Sequence, residues 1–221
     1  MKIFLIRHGE STQNTKENYD IGLPDHKVSL SPKGEEQALL AGKFLKEYII
    51  SNNIDTTNSR MWVSPYKRTR QTAKLINESL NIKDIKEDIT LIEQRYGLFS
   101  DKEISLIKEL YPREFAFYDN YYQNEGKFYA KLPQGESPYD VALRTKQFID
   151  TIFRDDNDIL FVISHGTTIK TFIMNWMHYS PEWYNSDPTM DNCSIRLITR
   201  EDKHSTEEYI YGGPKLVKKR K

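Results

Sequence analysis

The sequence predicts an α/β fold, in which helices pack against a mainly parallel β-sheet. Two observations lead to this class. Short apolar segments of strand length recur along the chain, with the clearest examples at residues 3–6 and 159–163. Between them lie segments whose apolar residues recur at helical spacing, such as Ala38, Ala41 and Leu45. Strands that alternate with helices in this way are typical of parallel sheets.

Six segments are predicted to be strands, because each is a short run rich in apolar, aromatic or β-branched residues. In chain order they are residues 3–6, 61–63, 89–92, 159–163, 194–199 and 206–211. The first and the fourth contain only apolar residues, as expected of buried strands. The third ends at Glu93, and the fourth is followed by Ser164, His165 and Gly166.

Four helices are predicted among these strands. Three of them begin at Ser-Pro pairs, because Ser is a favoured N-cap and Pro is favoured in the first turn of a helix. The pairs lie at residues 31–32, 64–65 and 137–138. The fourth helix covers residues 168–177. Apolar residues at helical spacing indicate that a face of these helices is buried.

Composition limits the classes of function. Lys plus Arg and Asp plus Glu both number 32, so the formal net charge is zero. We therefore expect no nucleic-acid partner, which would normally require a basic excess. The first apolar run is too short for a signal peptide, and no later run reaches the length of a membrane span, so we expect no membrane association. The single cysteine, Cys193, excludes an internal disulfide and favours a cytoplasmic location.

The chain has no internal repeat and no clear linker. We therefore predict one catalytic domain at residues 1–213, followed by a basic C-terminal tail at residues 214–221. A solvated, frayed terminus is a better interpretation of that tail than a targeting or anion-binding role. Residues 94–134 form a looser segment in which aromatic and charged residues predominate.

Ionisable residues follow several of the predicted strands. In open parallel sheets, ligands bind beyond the carboxyl ends of the strands. The residues that fall at this edge, or one helical turn beyond it, are Arg7, His8, Arg68, Glu93 and His165. Each alone has an ordinary explanation as a polar surface residue. Together they predict a site, because packing does not require so many ionisable groups at corresponding strand ends.

Phosphoryl transfer is the chemistry that needs this set of residues. Arginine guanidinium groups match phosphate oxygens in bidentate fashion. Gly9 and Gly166 directly follow the two histidines and would allow the backbone to approach a ligand closely. The helix N-termini that follow residues 164–166 and 64–65 would add backbone N–H donors.

An imidazole nitrogen can attack phosphorus and form a covalent intermediate. His8 would have to be neutral, and the neighbouring guanidinium groups of Arg7 and Arg68 would lower its pKa. Glu93 is the candidate acid for the leaving group, provided that the phosphate raises its pKa. A metal site is the rival interpretation of two histidines and a carboxylate. It is disfavoured because no metal-binding spacing such as HExxH occurs and because arginines repel cations.

Five motifs resemble those of the histidine phosphatase superfamily, which includes the cofactor-dependent phosphoglycerate mutases. They are RHGE at 7–10, SPYKRTRQTA at 64–73, LIEQRYG at 91–97, LPQGES at 132–137 and SHGTT at 164–168. They occur in the family's order, and the resemblance covers residues 1–200. It implies a phosphoglycerate mutase-like fold, a three-layer α/β/α arrangement with a mainly parallel mixed sheet. Residues 94–134 would be a cap insertion over the pocket.

The resemblance also implies roles for individual residues. His8 matches the phosphorylated nucleophile, and the rest of the phosphate pocket would consist of Arg7, Arg68 and His165. Asn14 matches a phosphate-contacting asparagine. Glu93 matches the proton donor of the mutase-like branch.

Some family positions carry a different residue or leave two interpretations open. Gly166 occupies a position that is acidic in another branch, so it would contact phosphate only through its backbone. Glu136 would support the site, or belong only to the N-terminus of the following helix. Four residues in the segment 94–134 have two interpretations, since they would either contact the substrate or be solvated: Arg95, Lys127, Tyr129 and Lys131.

The resemblance favours a phosphatase over a mutase. True mutases carry tryptophan where this chain has Gln13, and an FTGW-type segment that is missing here. The segments DHKVSLSPKG at 25–34 and DNCSI at 191–195 are similar to a branch with broad acid phosphatase activity. We therefore predict a phosphomonoesterase that acts on a small phosphorylated substrate and needs no metal or other cofactor. A bisphosphoglycerate-dependent mutase and a non-catalytic phospho-ligand module are the alternatives. Sugar phosphates, phosphoglycerates, nucleotides and phosphoprotein all stay open as substrates.

Overall fold

The computed structural model describes residues 1–15 and 22–213, and the predicted α/β class is confirmed. The strands of this part are β1 (Lys2–Arg7), β2 (Ser59–Val63), β3 (Asp84–Glu87), β4 (Ile159–Ser164), β5 (Ile195–Glu201) and β6 (His204–Tyr211). The helices are α1 (Thr12–Thr15), α2 (Pro32–Ser51), α3 (Lys67–Leu80), α4 (Ile104–Leu110), α5 (Pro112–Glu125), α6 (Pro138–Ile152), α7 (Gly166–Met177) and α8 (Pro181–Ser186). Short 3₁₀ turns lie at Asp25–Lys27, Ile89–Leu91 and Gly97–Phe99.

The strands form a mixed sheet in the order β3-β2-β4-β1-β5-β6. β3, β2, β4 and β1 are parallel, whereas β5 pairs antiparallel with β1, and β6 pairs antiparallel with β5. In the register of β1 with β4, Arg7 lies opposite Ser164. The residues that follow, His8 and His165, therefore leave the same edge of the sheet side by side.

Helices cover both faces of the sheet, so the predicted three-layer arrangement is confirmed. Successive residues of β1 point to opposite faces: Phe4 and Ile6 belong to the core on one side, and Ile3 and Leu5 to the core on the other. The first core is closed by α2 and α3, and the second by α6 and α7. Because both faces are covered, β1 and β4 can be continuous apolar runs.

Two of the three predicted Ser-Pro helix starts are confirmed. The Ser31 hydroxyl accepts from Gly34 N at 3.1 Å, and Ser137 forms a capping box with Asp140. The third start is wrong, because α3 begins at Lys67 with Tyr66 as its N-cap. Ser64 instead extends the strand, since its N–H donates to Ile163 O at 3.0 Å. Its hydroxyl is engaged with His165 at 2.8 Å.

The predicted strand at 89–92 is also wrong. Asp88 turns the chain there, because its Oδ1 accepts from Thr90 N at 2.8 Å and from Thr90 Oγ1 at 2.6 Å. Ile89 is 67% exposed, which a buried strand would not allow. The third parallel strand is β3, an edge strand of sequence DIKE whose polar residues face solvent.

Residues 94–134 contain α4 and α5, which pack on a small apolar cluster of their own built on Phe99, Ile107 and Leu132. The division into a catalytic domain with a cap insertion stays a prediction. The basic tail predicted at 214–221 lies outside the described residues. None of the helices in the described ranges has both the length and the apolar character that a membrane span requires.

Candidate active site

A cavity of about 870 Å³ opens at the carboxyl ends of the parallel strands. Five of the seven predicted site residues line it: Arg7, His8, Asn14, Arg68 and Glu93. The other two lie next to residues of this lining. His165 packs against the ring of His8, and Gly166 begins α7 beside the guanidinium group of Arg7. The structure therefore brings together all the residues that the strand ends predicted.

His8 is held with one defined ring nitrogen free. Its side chain is buried, and Nδ1 lies 2.7 Å from the carbonyl oxygen of Gly9. A carbonyl oxygen can only accept, so Nδ1 carries the proton and donates this hydrogen bond. In the neutral ring, Nε2 is then the nitrogen with the lone pair.

The backbone around His8 is fixed from three sides. His8 N donates to Ser164 O at 3.0 Å, and Asn192 Nδ2 donates to His8 O at 3.0 Å. Gly9 N donates to Thr72 Oγ1 at 3.1 Å. A Cβ on Gly9 would lie 2.4 Å from Gly34 O, so this glycine is required for close contact with the start of α2. Its role in the approach of the backbone to a ligand stays a prediction.

His165 is completely buried and lies edge-on to His8, with 5.1 Å between the ring centroids and 63° between the ring planes. Its Nε2 forms a hydrogen bond of 2.8 Å with the hydroxyl of Ser64. Its Nδ1 is buried and has no hydrogen-bond partner among the residues that the structure describes. Because buried polar atoms are normally paired, this nitrogen is a candidate for ligand contact.

The two arginines of the cavity are held differently. Arg7 donates through Nη1 to Met190 O, while its buried Nε is unpaired within the described residues. Arg68 forms a salt bridge with Asp25, with Nη1 2.7 Å from Oδ1, and its guanidinium carbon lies 5.0 Å from the ring centroid of Tyr66. Neither Asp25 nor Tyr66 was identified as a site residue from the sequence.

Both imidazoles are kept neutral by their surroundings. Burial lowers the pKa of His8 well below its usual range, and the charges of Arg68 and Arg7 lower it further. Burial and Arg68 do the same to the pKa of His165. Within the described part of the chain, no three His, Cys, Asp or Glu side chains are grouped so that they could hold a metal ion. The cations that act on the His8 ring are the guanidinium groups of Arg68 and Arg7, and such groups favour an anion.

Glu93 reaches the cavity from a 3₁₀ turn rather than from a strand. The turn is held by two hydroxyl groups: Ser164 Oγ donates to Leu91 O at 2.8 Å, and Thr168 Oγ1 donates to Ile92 O at 2.6 Å. The carboxylate accepts from Gln94 N at 2.9 Å. Burial raises the pKa of Glu93 above its usual range, although the Gln94 N–H and the arginine charges partly oppose this.

Asn14 lies at the rim of the cavity. Its Oδ1 accepts from both the N–H and the hydroxyl of Ser11, each at 3.1 Å. These bonds orient the side-chain amide so that its Nδ2 group is the part that can donate to a ligand.

Glu136 is connected to the Glu93 turn through Arg144, and the interpretation that it supports the site stays a prediction. It is buried, accepts from Arg95 N at 2.9 Å and lies 3.3 Å from Arg144 Nε. Arg144 in turn donates to Thr90 O at 2.5 Å, next to the Glu93 turn. Of the four residues of 94–134 for which two interpretations were given, Arg95 lines the cavity, whereas Lys131 pairs with Asp140 at 3.2 Å. Lys127 and Tyr129 do not line it.

Neutral imidazoles set among buried guanidinium groups, at the carboxyl edge of a parallel sheet, define a site for an anionic group. The chain belongs to the histidine phosphatase superfamily (branch 1), whose family model matches residues 3–210.

Individual relatives agree with this family. The phosphoglycerate mutase-like protein AT74 of Arabidopsis thaliana is 32% identical over 213 residues, which cover 89% of this chain and 64% of that protein. The chain thus spans just under two thirds of that relative. Phosphoserine phosphatase 1 of Hydrogenobacter thermophilus is 33% identical over 208 residues, covering 93% of this chain and 89% of that protein. The solved structure of the alpha-ribazole phosphatase from Shigella flexneri has a TM-score of 0.77 at 18% identity, covering 96% of each chain.

Proposed function

We propose that the protein hydrolyses small phosphomonoesters through a covalent phosphohistidine on His8. The observation that carries this proposal is the state of the His8 ring, whose Nε2 lone pair is left free by the Nδ1 bond to Gly9 O. A buried, neutral imidazole beside two guanidinium groups is an activated nucleophile for phosphorus. The phosphatase relative of Hydrogenobacter supports the hydrolytic outcome.

The first step would transfer the phosphoryl group to the enzyme. The Nε2 lone pair of His8 forms a bond to phosphorus while the ester P–O bond breaks. Glu93 in its acid form, which burial favours by raising its pKa, gives its proton to the leaving oxygen, which departs as an alcohol. Arg7 and Arg68 balance the charge on the phosphoryl oxygens.

The second step would release phosphate. The Glu93 carboxylate takes a proton from water as the water oxygen bonds to phosphorus. The P–N bond then breaks, and its electron pair returns to Nε2 of His8. Inorganic phosphate leaves, and both His8 and Glu93 recover their starting protonation states.

His165 would bind a phosphoryl oxygen through its unpaired Nδ1. In a neutral ring this requires the proton on Nδ1, so Nε2 must accept a hydrogen bond. The hydroxyl of Ser64, 2.8 Å from Nε2, can donate that bond and so select the tautomer. Asn14 and the backbone at Gly166 are proposed to complete the phosphate contacts.

The proposal is tested by following the fate of the phosphoryl group. The protein is incubated with a panel of phosphomonoesters, and with 3-phosphoglycerate plus a trace of 2,3-bisphosphoglycerate. We expect inorganic phosphate to appear with several small esters, because water can reach an open cavity of about 870 Å³. A mutase shields its phosphoenzyme from water and returns the group to substrate. Isomerisation without phosphate release would therefore favour the mutase, and no turnover of any ester would favour a binding module.

The pH dependence of kcat/KM should follow the protonation of the Glu93 carboxyl group. Its acid form is needed in the first step and is lost as pH rises through its raised pKa. The pKa of His8 is lowered, so the neutral nucleophile persists into the acid range. We therefore expect kcat/KM for an alkyl phosphate to be highest on the acid side of neutral and to fall at higher pH. The Glu93→Gln variant should lack this alkaline decline, and a rate that rises towards alkaline pH in the parent protein would contradict the assignment.

A further inference from the structure

We propose that Asp25 is a positioning residue that aims the guanidinium group of Arg68 at the phosphoryl group. This inference rests on the proposed function of the cavity. It assigns a role to a residue that lies 43 positions from Arg68 in the sequence and belongs to a separate segment of the fold.

The contacts use one end of the guanidinium group completely. Arg68 Nη1 donates to both Asp25 O at 2.8 Å and Asp25 Oδ1 at 2.7 Å, which accounts for both of its hydrogens. Nη2 donates to Asp25 Oδ2 at 3.3 Å. Within the described residues, the Nε hydrogen and the second Nη2 hydrogen have no partner, and these two form the other fork of the group. A fork of this kind matches two phosphate oxygens.

The guanidinium group is also packed against an aromatic ring. Its central carbon lies 5.0 Å from the ring centroid of Tyr66, within the range of a cation–π contact. The Arg68 side chain is only 4% exposed, so its choice of rotamers is restricted. With one end bound to Asp25 and the group packed on Tyr66, the remaining fork has a defined direction before any substrate binds.

Asp25 is itself anchored, so the pair is not an incidental surface contact. It begins a 3₁₀ turn closed by the hydrogen bond from Lys27 N to Pro24 O at 2.7 Å. Further along, Leu30 N donates to Gln71 Oε1 at 2.9 Å, which joins this segment to α3 one turn after Arg68. The segment and the helix that carries Arg68 are therefore linked at two points.

Two effects of the Asp25 carboxylate on a bound phosphate have opposite signs. If it positions Arg68, its removal weakens phosphate binding. If it only competes with phosphate for Arg68, its removal strengthens binding. The affinity for inorganic phosphate distinguishes the two without requiring turnover.

The test compares Asp25→Ala and Asp25→Asn with Glu87→Ala. Glu87 of β3 forms a similar pair with Arg70, which lies on the same helix as Arg68. Arg70 donates from Nε to Glu87 Oε1 at 2.7 Å and from Nη2 to Oε2 at 2.6 Å. Both of these side chains are exposed and lie outside the cavity lining. We expect Asp25→Ala to lower kcat/KM about 10- to 100-fold, as misplaced catalytic groups do. It should weaken inorganic phosphate binding in parallel. Asp25→Asn keeps one acceptor oxygen, so we expect about a 3- to 10-fold loss, and it decides the question if the alanine variant does not fold.

A double-mutant cycle shows whether Asp25 acts through Arg68. In an Arg68→Ala background, Asp25→Ala should cause no further loss of activity or phosphate affinity. Full additivity would overturn the proposal, as would phosphate binding that is unchanged or tighter in the Asp25 variants. Absence of ester hydrolysis by the parent protein would instead contradict the proposed function, while the phosphate-binding measurements would still test Asp25.

Discussion

Replacement of His8 by alanine is expected to lower phosphate release by about 10⁴- to 10⁶-fold, the range in which removal of a covalent nucleophile falls. The neighbouring imidazole of His165 is not expected to substitute for it, because its Nε2 is engaged with the Ser64 hydroxyl, which leaves the proton on Nδ1. The loss is measured as inorganic phosphate released from a panel of esters, with His204→Ala, an exposed histidine of β6, as the matched control.

The covalent intermediate gives an independent readout. Brief incubation with an ester whose phosphoryl group is isotopically labelled, followed by a denaturing quench, should leave label on the parent protein. It should leave none on the His8→Ala variant. A phosphohistidine is labile in acid and stable in base, which distinguishes it from a phosphoserine. Label that persists on the variant, or turnover that is undiminished, would refute the role of His8.

Replacement of Glu93 by glutamine is expected to slow alkyl phosphates by about 10²- to 10⁴-fold, the usual contribution of general acid catalysis. The amide cannot give a proton to the leaving oxygen, and a poor leaving group cannot depart without one. The nitrophenolate of p-nitrophenyl phosphate leaves without assistance, so the rate constant for phosphoenzyme formation from this ester should fall far less. The ratio of the two rate constants for phosphoenzyme formation is the measurement.

The contrast between the two esters serves as the internal control. Glutamine keeps the shape of Glu93 and can still accept the 2.9 Å bond from Gln94 N. A general disturbance of the cavity would slow both esters equally. Equal losses would therefore remove the proton-donor role from Glu93.

The parts of the fold that the sequence predicts correctly depend on local signals. The apolar runs of β1 and β4 are buried on both faces, and the caps at Ser31 and Ser137 act within one helical turn. The wrong predictions have local causes too. The edge strand β3 is polar because it faces solvent, and Asp88 converts the apolar segment after it into a turn.

Some residues of the candidate site could likewise be predicted from the sequence, and others could not. His8 and His165 could be expected to meet because each directly follows an apolar strand, and parallel strands end at the same edge. Asp25 could not be found in this manner. Its contact with Arg68 joins a loop to a helix, and no spacing or periodicity indicates such a pair. The same is true of the cation–π contact between Tyr66 and that guanidinium group.

The hydroxyl groups that hold the Glu93 turn belong to residues 164 and 168, on either side of His165. The side chain of Glu93 and the ring of His165 are therefore both held by the stretch of chain where β4 meets α7. Residues of the 94–134 segment that line the cavity, such as Phe99 and Lys102, lie outside that stretch. Under the proposed function, we expect substitutions at these residues to change which alcohol groups fit the cavity without moving Glu93 relative to the phosphoryl group.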